Sequence, residues 1–99
     1  MLLVKVMDHM VNKQNIFDLI TDRLAELWDA EKARNTDSFR EIFDEMIDLV
    51  YDNLSLLDEW QLKNVTAMFV TIYEVLNKEG NAQQLRNKEK LLKILMQKL

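Results

Sequence analysis

Apolar positions recur along this chain at three- and four-residue intervals, the period of a helix presenting one face to a core. The clearest run is Phe39, Ile42, Phe43, Met46, Ile47, Val50 and Leu54, which follows the i, i+3, i+4, i+7 pattern throughout. It predicts a helix over 37–54, opening at Thr36 to Ser38 with Ser38 and Glu41 at capping-box spacing. Upstream, Phe17, Ile20, Leu24, Leu27 and Trp28 make a second stripe, and Asn15–Asp18 resembles a cap, so a helix is expected over 15–33. Downstream, Leu62, Val65, Met68, Phe69, Ile72, Val75 and Leu76 span more than half a helical circumference. This third helix, over 58–79, is expected to be the most buried. It has Asp58 and Gln61 at capping-box spacing and Gly80 just past its end, where a positive φ costs no steric strain.

A fourth helix is expected over 81–98, capped by Asn81 and Gln84. Leu85, Leu92 and Leu99 recur every seven residues with Leu95 between them, although Lys88 interrupts the seam. So short a repeat reads as a bundle helix in preference to a coiled coil. Residues 1–14 are ambiguous: Leu2–Val6 could form a strand, while Leu3, Met7 and Met10 could extend the first helix. Trp28 and Trp60 are expected to close the ends of the core, with partner anchoring as their alternative role. The pattern as a whole predicts one domain, an all-α antiparallel four-helix bundle with short connections.

Composition strengthens this reading. The 99 residues contain no proline and one glycine, too few turn-formers for a β-rich fold of this size. There is no cysteine, which removes disulfides and thiolate chemistry together. No apolar run approaches the roughly 18 residues of a membrane span, and a cytoplasmic location is the expectation.

Charge is distributed unevenly about a net of −4. Residues 16–59 carry 13 acidic and 4 basic side chains, whereas residues 81–99 carry 1 and 5. Asp18, Asp22, Glu26 and Asp29 share one face of the first helix; Glu41, Asp44, Glu45, Asp48 and Asp52 share one face of the second. Like charges four residues apart, as in Asp18/Asp22, Asp22/Glu26, Glu41/Glu45, Asp44/Asp48 and Asp48/Asp52, cost about 0.2–0.5 kcal/mol each. Asp37 and Glu41 gain something back near a helix N-terminus, but nothing local rewards Asp48 and Asp52. Solvation of an outer face explains such stripes; the functional alternative is recognition of a basic partner surface. The candidate partner-binding residues are therefore Asp44, Glu45, Asp48, Asp52, Asp18, Asp22 and Glu26. Arg86, Lys90 and Lys93 form an alternative basic face, expected to pair with the acidic first helix.

Catalytic and metal constellations are missing from the sequence. Di-iron bundles require two Glu-x-x-His motifs, and this chain has a single histidine, His9. No EF-hand loop surrounds Gly80, and no glycine-rich loop exists to cradle phosphate. Ser38 and Ser55 read as caps, not nucleophiles. The lysines of the last helix lack interleaved aromatics, so no direct nucleic-acid contact is expected. No enzyme activity and no cofactor are expected. The sequence points to a small acidic module that binds, inhibits, neutralises or chaperones a larger protein, on the scale of antitoxins, immunity proteins and phage inhibitors. A self-assembling or homodimeric protein and a DNA-mimicking inhibitor are the alternatives.

Overall fold

A computed structural model describes residues 13–97 of the chain. His9, the ambiguous stretch before Lys13 and the last leucine of the heptad, Leu99, lie outside the described residues. Among the described residues there are four α-helices: α1 over Lys13–Lys32, α2 over Thr36–Asp52, α3 over Glu59–Lys78 and α4 over Lys88–Met96. Single 3₁₀ turns at Leu54–Leu56 and Ala82–Gln84 lie in the connections to α3 and α4. No strand occurs among the described residues. The domain is all-α.

The stripes close on one another. Ile16, Ile20 and Leu27 of α1, Phe39, Phe43, Met46, Ile47 and Val50 of α2, and Val65, Phe69, Ile72 and Leu76 of α3 are all buried. Phe43 meets Phe69 edge-on, with centroids 5.3 Å apart at 87°, a geometry that sets the positive rim of one ring against the negative face of the other. Trp28 packs on Phe39 at 5.8 Å. Arg23, earlier in α1, reaches Glu45, later in α2. Thus α1 and α2 fold back on each other as a hairpin.

Its turn uses one residue twice. The Asn35 N–H donates to the Ala30 carbonyl at 2.9 Å and the Arg34 N–H donates to Glu31 at 3.0 Å, closing α1 in a Schellman motif. The Asn35 side chain then accepts the Ser38 N–H at 3.2 Å and caps α2. Ser38 is consequently a donor within the first turn, not the capping residue its spacing suggested. Arg34 occupies the left-handed region at φ 58°, where a side chain is strained. Asn15, likewise, lies inside α1 instead of capping it.

The ends of α3 follow the expectation closely. The Asp58 carboxylate accepts the Gln61 N–H at 2.8 Å, and the Gln61 side chain accepts the Asp58 N–H at 3.1 Å. At the other end Gly80 adopts φ 75°, with its N–H on Asn77 and that of Asn81 on Leu76.

The last segment departs from expectation. Asn81 makes no side-chain cap, Leu85 is extended at φ −63°, ψ 127°, and regular helix begins only at Lys88. The heptad of leucines therefore shares no face. Leu85 is buried from a non-helical connection, Leu91 and Ile94 fill the core, and Leu92 is 52% exposed. The break has a tertiary cause: the backbone at Arg86 and Asn87 is held by Asp44 of α2.

Candidate protein-binding face

On α1 the buried residues Ile16, Ile20 and Leu27 define the inward direction, and Asp18, Asp22, Glu26 and Asp29 fall on the exposed side. On α2, Asp37, Glu41, Glu45 and Asp52 are exposed in the same way. Arg23 lies where the two stripes meet. Its guanidinium is 3.0 Å from Glu26 and 3.7 Å from Glu45, so one cation joins carboxylates of both helices. With these side chains about half exposed, each contact is worth at most about 1 kcal/mol. The larger consequence is geometric: the two stripes adjoin as one acidic field with Arg23 between them, while Arg40 pairs with Asp37 at 3.3 Å at the start of α2.

Two of the acidic residues singled out from the sequence do something else. Asp44 is 1% exposed and lies outside any surface a partner could reach. Its carboxylate accepts the Arg86 N–H at 3.1 and 3.2 Å and the Asn87 N–H at 3.0 Å, while the Asn87 side-chain amide donates 2.8 Å to the Asp44 carbonyl. Asn87 precedes α4 without capping it through its own side chain. An acid from another helix instead binds the two backbone N–H groups that lead into α4 and sets a negative charge at the positive end of the helix dipole. Asp48 is half-exposed and accepts from Lys90 Nζ at 2.5 Å. This hydrogen bond is the leading reason that the Lys90 ammonium holds its proton above the ordinary lysine value, burial opposing and the charges of Asp48 and Asp52 adding.

The basic face is engaged by the same helix. Arg86 Nε lies 3.7 Å from Asp44, and the ammonium groups of Lys90 and Lys93 stand 5.5 and 6.0 Å from the Tyr51 ring centroid. Charge pairing within the chain does occur, but with α2, not with α1 as an up-and-down order suggested. It also supplies the reward that Asp48 lacked locally. Of the candidate residues, Asp18, Asp22, Glu26, Glu45 and Asp52 remain displayed.

An apolar feature departs from the core-closing role expected of it. Trp60 is 64% exposed instead of closing the core, with its ring 5.9 Å from that of half-buried Phe17. The signal was available: Trp60 stands five residues before buried Val65, on the opposite side of a helix with 3.6 residues per turn. Beyond this pair, Leu24, Trp28, Ala67, Met68 and Thr71 line an open groove of about 240 Å³ between α1 and α3. A larger cleft of about 540 Å³ lies beside Trp60, bounded by Glu59, Leu62, Lys63 and Gln97. At the far end of α1 and α3, Glu31 and Glu79 share a polar cleft with Arg34. Partial burial, and secondarily the charge and hydrogen bond of Glu79, push the Glu31 carboxyl above the ordinary glutamate value.

Among the described residues no three acidic or histidine side chains gather as a metal site, and no helix is long and apolar enough to cross a membrane. Comparison with known protein families, with curated proteins and with solved structures finds no match. What fold and surface define together is a small all-α domain with one continuous acidic field and, beside it, an uncharged groove.

Proposed function

We propose that this protein is a non-enzymatic binding module that docks its acidic field on a basic surface of a larger protein and thereby inhibits, neutralises or chaperones it. The observation that carries this reading is the meeting of two carboxylate stripes at Arg23, which contacts both Glu26 and Glu45. Asp18 and Asp22 continue that field along α1 without an ion-pair partner among the described residues. A field of one sign over low-dielectric protein steers a basic partner and speeds its encounter.

The test is affinity capture from the native host by the intact chain and by the Asp18→Asn/Asp22→Asn/Glu26→Gln/Glu45→Gln variant. A basic protein retained by the first, released by moderate salt and absent from the second is the expected result. Identical capture by both would discard the reading.

Self-association is the second reading, favoured by the exposure of Leu92 and Met96 on α4 (52% and 65%). A monomeric mass across a wide concentration range would remove it. A DNA-mimicking row along α2 draws less support, because Asp44 and Asp48 are engaged by Arg86, Asn87 and Lys90.

A further inference from the structure

Contacts between α1 and α3 advance in step. Phe17 meets Trp60; seven and eleven residues further along each helix, Leu24 and Trp28 face Ala67 and Thr71 across the open groove. From Trp60 to Thr71 the rise is about 16 Å, or three helical turns. Ala67 and Thr71 are exposed, Leu24, Trp28 and Met68 are half-buried, and none of the five carries a charge. The seam is therefore apolar over about three turns, closed by the Phe17–Trp60 contact at one end and open over the turn from Leu24 to Trp28 and from Ala67 to Thr71, where it can accept the apolar face of another helix.

Its edges differ in charge. On α1 the position beside Leu24 and Trp28 is exposed Ala25; Asp22 and Asp29 flank it at three and four residues, Asp18 lies seven residues before it and Lys32 seven after it, so this edge carries three acids to one lysine. These positions are neighbours on a helix surface. On α3 the corresponding edge is mixed, with Lys63 and Glu74 both exposed. One edge is acidic and the other close to neutral.

We infer that the α1–α3 groove receives an amphipathic helix of a partner protein, about three turns long, with its apolar face against Trp28 and Ala67 and a basic edge along Asp18, Asp22 and Asp29. This deepens the proposed function and rests on it for the acidic edge alone. The acids orient the incoming helix, and the groove supplies the area it buries.

Two designed 18-residue helical peptides with the same leucine face, one edged with lysine and one with glutamate, test this on the full-length chain. The lysine-edged peptide is expected to bind saturably and shift Trp28 emission to shorter wavelength, with the glutamate-edged peptide silent. Ala67→Arg fills the groove from an exposed position and abolishes binding; Thr71→Arg serves the same purpose if the first variant does not fold. Asp18→Asn/Asp22→Asn/Asp29→Asn weakens binding about tenfold, the sum of three exposed charge pairs. Equal binding of both peptides, or of neither, overturns the inference. So does a chain dimer that Ala67→Arg dissociates, since a second copy would then occupy the seam. A spin label at Ala67→Cys that broadens resonances of residues 2–11 in the monomer overturns it too, placing the chain's own N-terminal segment there. Loss of binding on neutralising the acids but not on blocking the groove rejects the groove and leaves the acidic field standing; the converse rejects the field.

Discussion

The Asp44 carboxylate on α2 accepts the backbone N–H of Asn87 at 3.0 Å, joining the middle of one helix to the start of another. With the Arg86 N–H also bound, a buried acid 42 residues away determines where α4 begins. Asp44→Ala leaves these two backbone donors without their acceptor. The expected cost is about 2–3 kcal/mol, in the range for hydrogen bonds to a charged group and for a lost cap. Thermal unfolding should fall by about 10–20 °C for a domain of this size. Amide exchange should accelerate first in α4, and uniform acceleration across all four helices would refute the local role of Asp44.

The turn between α1 and α2 offers a stabilising substitution. Arg34 stands at φ 58°, and Arg34→Gly removes that strain without touching the Asn35 bonds. A gain of about 0.5–1 kcal/mol is expected, net of the greater freedom of glycine in the unfolded chain. The reverse change, Gly80→Ala at φ 75°, meets no atom within 4 Å and costs about 1 kcal/mol through the backbone alone. Urea midpoints of the two variants should move in opposite directions.

Glu31 predicts a dependence on mild acid. Its folded-state pKa lies above the ordinary 4.5, chiefly through burial and then through Glu79. The folded state therefore binds a proton more readily than the unfolded chain. Stability should rise as pH falls from 7 through the raised value, with the gain complete near 4.5. Glu31→Gln should unfold at higher urea than the parent at neutral pH and lose this rise. Parallel pH profiles for the two proteins would contradict the assignment.

Lys90 acts in alkali. Its hydrogen bond to Asp48 raises its pKa above 10.5, so its contribution is complete below that value and disappears as pH climbs through the folded-state value. Asp48→Asn should flatten the decline in stability above about pH 10.5. Urea midpoints from about pH 9 to 11 measure it. An undiminished decline in the variant would mean that other lysines or the tyrosines dominate.

The two tryptophans should report different environments. Trp60→Phe leaves half-buried Trp28 against Phe39, and Trp28→Phe leaves Trp60 largely in water. Emission of the Trp28→Phe protein should lie at longer wavelength and be quenched more strongly by iodide. Equal quenching of the two variants would show that Trp60 is covered.

Helical class, the inward faces of α2 and α3, the Asp58–Gln61 cap and the Gly80 stop could all be read along the chain. Each depends on residues within a turn or two of one another, where period, cap and φ preference act directly. Asp44 carries no such local mark. It stands in a polar row beside Glu45 and Asp48, and only the donors at Arg86 and Asn87 make its burial favourable. The same distant bonds interrupt the last helix, undo the leucine heptad and bring α4 to α2. Trp60 is the converse, an apolar side chain left outward because the face of α3 that packs inward is defined by Val65, Phe69, Ile72 and Leu76. Desolvation and pairing across the core are properties of the assembled helices, so which acids stay exposed was decided only when the four came together.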